Sequence, residues 1–220
     1  MKALWEKGGM VLVAAVCFAL FAAMVPGFMA PGNLADVLVA VSTVGIVACT
    51  MLFCLAAGDF DLSVGSTVAL AGVMAGLLLQ KGQSAAVAIL LPLLAGAGIG
   101  AINGFVIARL GINALITTLA TMQIVRGLAY LICDGGSIGI SDAAFTQLGQ
   151  FKLGILQSPV LFMLLFFVAF GLLLNKTIFG RNTLAIGGNQ QAARLAGINV
   201  SGTKIMLFTL QGIAAAFAGI

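Results

Sequence analysis

The sequence predicts an all-α, polytopic integral membrane protein with a cytoplasmic N-terminus. About six complete transmembrane helices and a truncated seventh are expected. Three observations carry this. Apolar residues make up 62% of the chain and charged residues only 7%, with a mean hydropathy of +1.21. A soluble domain carries about 25% charged residues, so this chain needs lipid as its main solvent. The apolar residues fall in long runs, most near the length of about 20 that one crossing requires. The basic residues fall mainly on one side of those runs, and basic loops stay in the cytoplasm.

The spans follow in order. Lys2, Glu6 and Lys7 precede an apolar run over about 8–25, read as a retained first span. A cleaved leader would need a small-x-small site after the run, and Pro26 and Pro31 stand there instead. The apolar stretch 34–79 is too long for one crossing, and Gly58 to Ser63 breaks it into spans 34–57 and 62–79. Gln80 to Ser84 is a short outer turn, and 85–108 is the fourth span. A tight inner turn at Arg109 leads to the fifth, 112–133. A longer outer segment, 134–157, precedes the sixth span, 158–174. A hydrophilic island over 175–204 follows, and 205–220 opens the seventh span. Inner loops then hold Lys2, Lys7, Arg109, Lys176, Arg181, Arg194 and Lys204, while outer loops hold only Lys81 and Lys152. No internal repeat or soluble domain is evident, so residues 1–220 read as one membrane domain.

Composition also excludes chemistry. The chain has no histidine, so imidazole catalysis and histidine metal ligation are ruled out. Cys17, Cys49, Cys54 and Cys133 lie in apolar runs without metal-ligand spacing and read as small hydrophobes. The net charge of +4 is spread over loops, which is not a nucleic-acid footprint. No catalytic, cofactor or metal residues are assigned.

Lipid supplies no hydrophobic force between helices, so small residues must let backbones approach. Gly96, Gly100 and Gly104 share one face of the fourth span, and Gly65, Ala69, Gly72 and Gly76 form a similar stripe on the third. Both are expected to be packing seams.

Four polar features lie at or near membrane depth. Asp59 or Asp61 could cap the start of the third span, where the helix dipole favours an acid. A calcium loop fits poorly: glycine falls one place late after Asp59, and the final ligand position is Leu70. Arg126 sits within the fifth span, where a charge costs roughly 2.5–3.5 kcal/mol. It should face a cavity or a partner, and Asp36 is at comparable depth. Asn113, Thr117 and Thr121 recur every four residues on that span. They could line a path for a neutral sugar or hydrogen-bond between helices.

The island holds four basic residues and no acid. Within it Asn189 is a good N-cap, Gln190 to Ala196 a short helix, and Gly197 a left-handed stop. Ala192, Ala193, Leu195 and Ala196 give a small apolar face. So short a helix needs something to lie against. It reads either as a connecting helix at the lipid interface or as a docking helix for a soluble partner.

The stretch Leu172 to Ile198, centred on Gly187-Gly188-Asn189-Gln190-Gln191-Ala192-Ala193-Arg194-Leu195-Ala196-Gly197, resembles the cytoplasmic coupling loop of ABC importer permeases. The likeness is to the monosaccharide branch (ribose, galactose, xylose, arabinose), and the wording is nearest to the L-arabinose importers. Leu52 to Gly65 and Gly111 to Leu131 agree, and the resemblance runs from about Trp5 to the C-terminus. Gln190 and Gln191 depart from it, standing where the family usually has acidic residues; the family also continues beyond Ile220.

The resemblance implies a type II ABC importer-like permease fold, of which this chain is the N-terminal part, in a bacterial inner membrane. It implies translocation of a pentose or similar monosaccharide, L-arabinose first. Two permease copies would pair and two ABC ATPases would grip their coupling helices. A periplasmic binding protein would deliver the sugar. Gly188, Asn189, Ala192, Ala193, Arg194 and Gly197 would form the docking element, and Asp59 and Asp61 would shape an inner gate or the face toward the coupling loop. The residues themselves add that the chain has no phosphate-gripping G-x-x-x-x-G-K-[ST] stretch. No cofactor is expected on this chain, and ATP and magnesium would sit on the partner. Two other classes remain: an ion-coupled secondary transporter using Asp59, Asp61 and Arg126, and a passive channel, for which no pore signature is seen.

Overall fold

The computed structural model describes residues 2–154 and 156–220, with side chains from Gly8 onward. The side chains of Lys2 and Lys7, counted toward the inner side, and of Glu6 lie outside the described residues. The described residues fold mainly into apolar helices. These are α1 (Lys2–Met24), α2 (Pro31–Ala56), α3 (Val64–Gln80), α4 (Ala85–Arg109), α5 (Ala114–Ile132), α7 (Ser158–Lys176) and α10 (Val200–Gly219). Between them lie α6 (Ala143–Gln150), a two-stranded hairpin of β1 (Lys152–Leu153) and β2 (Leu156–Gln157), α8 (Ile178–Gly188) and α9 (Gln190–Leu195). Among the described residues, α2, α4, α5, α7 and α10 are long and apolar enough to cross a bilayer; Gly8–Met24 and Val64–Gln80 are shorter apolar helices.

Three parts differ from expectation. The seventh span starts earlier than expected. It opens at Val200 and runs 20 residues, because the Asn199 side chain accepts from the Gly202 N–H at 2.9 Å and starts it five residues early. The charge of Lys204 places it in the loop on sequence grounds, yet it lies within this helix. The island carries a second helix, α8, capped by Thr177, whose hydroxyl accepts from the Gly180 N–H at 3.1 Å. The outer segment also contains structure: Asp142 caps α6 by accepting from the Phe145 N–H at 2.7 Å.

The single domain read from the sequence divides into two compact units, 1–40 and 41–220. In the first, Gly27 takes a left-handed conformation (φ 78°) in the turn after α1. Phe28 packs there edge-on against Phe18 at 5.2 Å and stacks on Phe21 at 5.8 Å. Pro31 opens α2, where its missing N–H costs nothing.

The second unit is built around α10, which packs against α4 and α3. The expected seam on α4 is there. A Cβ on Gly96 or Gly100 would strike the carbonyl oxygen of Gly212 or Phe208, and one on Gly104 would lie 2.7 Å from the Ile205 Cα. Both backbones therefore touch directly. On α3 the seam is shorter than expected. Gly72 lies against the Gly219 carbonyl and Gly76 against Ile138, but Gly65 and Ala69 face outward, with open space around Gly65. The part of α2 after residue 40 packs on α7 and α8, through Gly45 against Met163 and through Phe53 against Phe170 and Phe179. Phe217 of α10 stacks on Phe166 and meets Phe162 edge-on.

Cross-chain contacts fix which ends share a side. Ser201 donates to the Ala108 carbonyl at 3.1 Å, so the α4–α5 turn lies beside the start of α10. Gly187 abuts the Ala56 carbonyl, so the end of α2 lies beside the end of α8. At the opposite end the Gln80 side chain donates to the Gly139 carbonyl at 3.0 Å. The break 57–63 is therefore on the same side as the basic island.

Candidate coupling surface and its polar support

The candidate site is a short arm held against the end of the second unit that carries the basic island. Asn189 leaves the helical conformation (φ −157°), and its side chain accepts from the Ala192 N–H at 2.9 Å. That capping bond starts α9 after α8 has ended. Six residues later the helix stops at Gly197, whose φ of 81° is the left-handed conformation glycine adopts without a Cβ penalty. The Gly197 N–H donates to the Arg194 carbonyl at 3.1 Å and the Ile198 N–H to the Ala193 carbonyl at 3.1 Å, closing the C-terminal cap.

So short a helix is stable only if anchored, and Ala193 is the anchor. Its methyl is buried in a cluster with Phe53, Cys54, Ala57, Ile186, Val200 and Leu207. The opposite surface is open. Gln190, Gln191, Ala192 and Arg194 are exposed, as are Gly188 and Gly197 at the two ends. Leu195 is 90% exposed, a bare isobutyl group at the tip of the arm. The six docking residues read from the sequence are thus brought together, but Ala193 faces the bundle. Leu195 belongs on the exposed face. Its place in the apolar set Ala192, Ala193, Leu195 and Ala196 was visible in sequence, but not which members point inward.

Behind the arm lies the acidic break. The Asp59 carboxylate takes an ion pair from the Lys204 ammonium at 2.8 Å, with side chains 11% and 10% exposed. The link ties the α2–α3 break to the first turns of α10, just after α9. Neither acid caps α3. Ser63 holds the N-cap position, and Asp61 accepts from both the Ser63 N–H at 2.8 Å and its hydroxyl at 2.6 Å. A carboxylate satisfied by a residue two positions on is a local turn, competing with the capping role expected for it. Burial pushes the Asp61 carboxyl above the ordinary carboxylate range, and the two Ser63 bonds partly oppose this.

The polar chain continues inward. The Asn103 side chain of α4 is fully buried and donates through Nδ2 to the Ser63 hydroxyl at 3.1 Å, and the Thr121 hydroxyl of α5 donates to the Asn103 Oδ1 at 2.6 Å. Asp61, Ser63, Asn103 and Thr121 thus connect the break, α4 and α5. Asn103 gave no sequence signal, being one amide in a glycine-rich apolar helix. The rest of the threonine stripe serves its own helix: Asn113 caps α5 by accepting from the Leu115 N–H at 2.9 Å, and Thr117 donates to the Asn113 carbonyl at 3.1 Å. Of the three stripe residues, only Thr121 bonds to another helix; Asn113 and Thr117 bond within α5 and its cap. Arg126 stands apart, exposed on α5 and without an ion pair among the described residues. No group of three or more His, Cys, Asp or Glu that could hold a metal occurs among the described residues.

The family model for the branched-chain amino acid transport system / permease component matches residues 33–220. The L-arabinose transport system permease protein AraH of Escherichia coli K12 is 52% identical over 99% of this chain and 66% of its own length. The L-arabinose ABC transporter permease protein AraH of Azospirillum brasilense is 44% identical over 98% of this chain and 63% of its own. The ribose import permease protein RbsC of Bacillus subtilis is 37% identical over 88% of this chain and 61% of its own. The chain thus spans about two thirds of the length of these relatives or a little less. No solved structure matches it.

Proposed function

Because the chain belongs to the branched-chain amino acid transport system / permease component family, we propose that it is the membrane-spanning subunit of an ATP-driven importer. It sits in the bacterial inner membrane, catalyses no chemistry, and carries a pentose, L-arabinose first, toward the cytoplasm. Two relatives bear that sugar in their names and share 52% and 44% of this chain's residues. A separate ATPase holds ATP and magnesium, a sugar-binding protein delivers substrate from outside, and two copies of the permease pair.

One observation carries the reading: α9 is anchored on one side and bare on the other. Ala193 fixes the arm in the bundle, while Ala192, Arg194 and Leu195 stand free on the side of the basic loops. An exposed leucine on a rigid arm suits a hydrophobic pocket in a soluble partner, with Arg194 for an acidic or carbonyl rim. Gln190 and Gln191 contribute hydrogen bonds rather than charge. When the partner moves, the arm pulls on the start of α10, and through Lys204 and Asp59 on the α2–α3 break. That break, with Asp61, is the proposed inner gate.

The ion-coupled alternative draws less support. Asp59 is already neutralised by Lys204, and Asp61 is occupied by Ser63. The test uses the full-length permease with its ATPase. Leu195→Glu should leave the protein inserted while weakening ATPase association by about 2 kcal/mol, roughly 30-fold, the size of an interface hot spot. Unchanged association and unchanged ATP-dependent uptake would overturn the reading. Ala193→Glu is the wrong variant for the purpose, because it drives a carboxylate into the core.

A further inference from the structure

Gln123, Arg126 and Tyr130 follow one another at three- and four-residue spacing on the outer half of α5, which puts them on one face. All three are exposed, and none makes a side-chain hydrogen bond or ion pair among the described residues. The adjoining face of the same turns is packed: Val125 and Ala129 are buried against Leu70, Met74 and Ile99. Between the polar groups Gly127 has open space around it. At 1.5 Å per residue, Arg126 lies about 9 Å inside the end of α5. Acyl chains cannot satisfy a guanidinium, an amide and a phenol there, and the charge alone costs roughly 2.5–3.5 kcal/mol.

We propose that this stripe lines the outer half of the substrate pathway and hydrogen-bonds a neutral polyhydroxylated ring as it passes. The inference rests on the importer reading above. The chemistry is specific to that ligand class. Arg126 offers a planar fork of donors to neighbouring hydroxyls, Gln123 offers one donor group and one acceptor, and Tyr130 offers a hydroxyl and an aromatic face for the ring's C–H groups. No acid shares the face, so a cation would be repelled. Gly127 leaves room for a bulky solute beside the stripe.

The test uses full-length permease, with its ATPase and sugar-binding protein, in proteoliposomes. Every native cysteine of the full-length permease, Cys17, Cys49, Cys54 and Cys133 among them, is first replaced by serine. Cysteines are then placed one at a time, as Gln123→Cys, Arg126→Cys and Tyr130→Cys, with Leu131→Cys as a control off the stripe. A membrane-impermeant thiol reagent should label the three stripe positions from outside, and L-arabinose with the binding protein should slow that labelling at least threefold. Arg126→Leu should reduce uptake at least tenfold with assembly and ATPase association unchanged, and Arg126→Lys should recover part of it. Disulfide crosslinks between copies at the stripe, with no labelling from water, would overturn the proposal in favour of a subunit interface. Stripe positions that label no faster than Leu131→Cys, with normal uptake by Arg126→Leu, would overturn it in favour of side chains reaching the headgroups. If the cysteine-free parent shows ATP-dependent uptake, either result refutes the stripe alone. Uptake that never depends on the ATPase would instead refute the importer reading.

Discussion

Replacing Lys204 by methionine keeps the length of the side chain and removes its charge. Asp59 is then left with a carboxylate only 11% exposed, and its cation, previously 2.8 Å away, is gone. Removing one partner of a buried pair costs about 3–5 kcal/mol, because the remaining charge is desolvated without compensation. The residual exposure of both groups puts this pair at the lower end, about 3 kcal/mol. For 150–250 residues 1 kcal/mol moves the melting temperature by about 2–4 °C, and less in a longer chain, so the midpoint of the full-length permease should fall by several degrees. Asp59→Asn should cost a similar amount, since it strands the ammonium. The double variant Asp59→Asn with Lys204→Met buries two neutral groups of nearly the same shape, and most of the loss should return. The assay is thermal inactivation of the full-length permease in detergent, read as the fraction that stays monodisperse, with ATP-dependent uptake measured alongside. Single effects that add in the double variant to within about 0.5 kcal/mol would mean the two residues do not act as a pair. The link between the break and α10 would then have to be abandoned.

The remaining expectations can be checked the same way. Gly100→Leu should lower the amount of assembled protein in the membrane, because the new side chain meets the Phe208 carbonyl and the Thr209 Cα, neither of which can rotate aside; overpacking of this kind costs about 1–3 kcal/mol or more. Thr121→Val should cost about 1–3 kcal/mol in thermal stability, since it leaves the buried Asn103 oxygen unpaired. Thr117→Val should cost less, because its hydroxyl only returns to its own helix. For Asp61 burial raises the folded carboxyl above its unfolded value of about 3.9. Its stabilising share is therefore complete below the unfolded value and lost as pH rises through the folded one. The stability difference between wild type and Asp61→Asn should thus shift against wild type as pH rises from about 4, measured as melting temperature across that range. A flat difference would remove Asp61 from the titrating groups.

Much of the architecture was legible before any coordinates. Long apolar runs have few ways to fold in lipid, since every backbone group must be paired within the helix. The seven apolar helices among the described residues and the Asn189–Gly197 boundaries of α9 follow from that and from capping chemistry. The glycine seam on α4 was legible for the same reason: three glycines on one face have no other use in an apolar helix. What could not be read was direction around a helix of small residues. Gly65 and Gly72 look alike in sequence, but only Gly72 meets another backbone. Ala193 and Leu195 are two positions apart on α9, and burial of the first leaves the second bare.

Composition and spacing by themselves determined the membrane class and the place of the arm, because those depend on transfer from water to lipid and on local caps, both written residue by residue along the chain. Partnership was decided only in three dimensions. Lys204 finds Asp59, and Asn103 joins Ser63 to Thr121, across long stretches of sequence. A buried polar group takes whichever neighbour the packing brings within about 3 Å, and nothing in the linear order of residues announces which one that is.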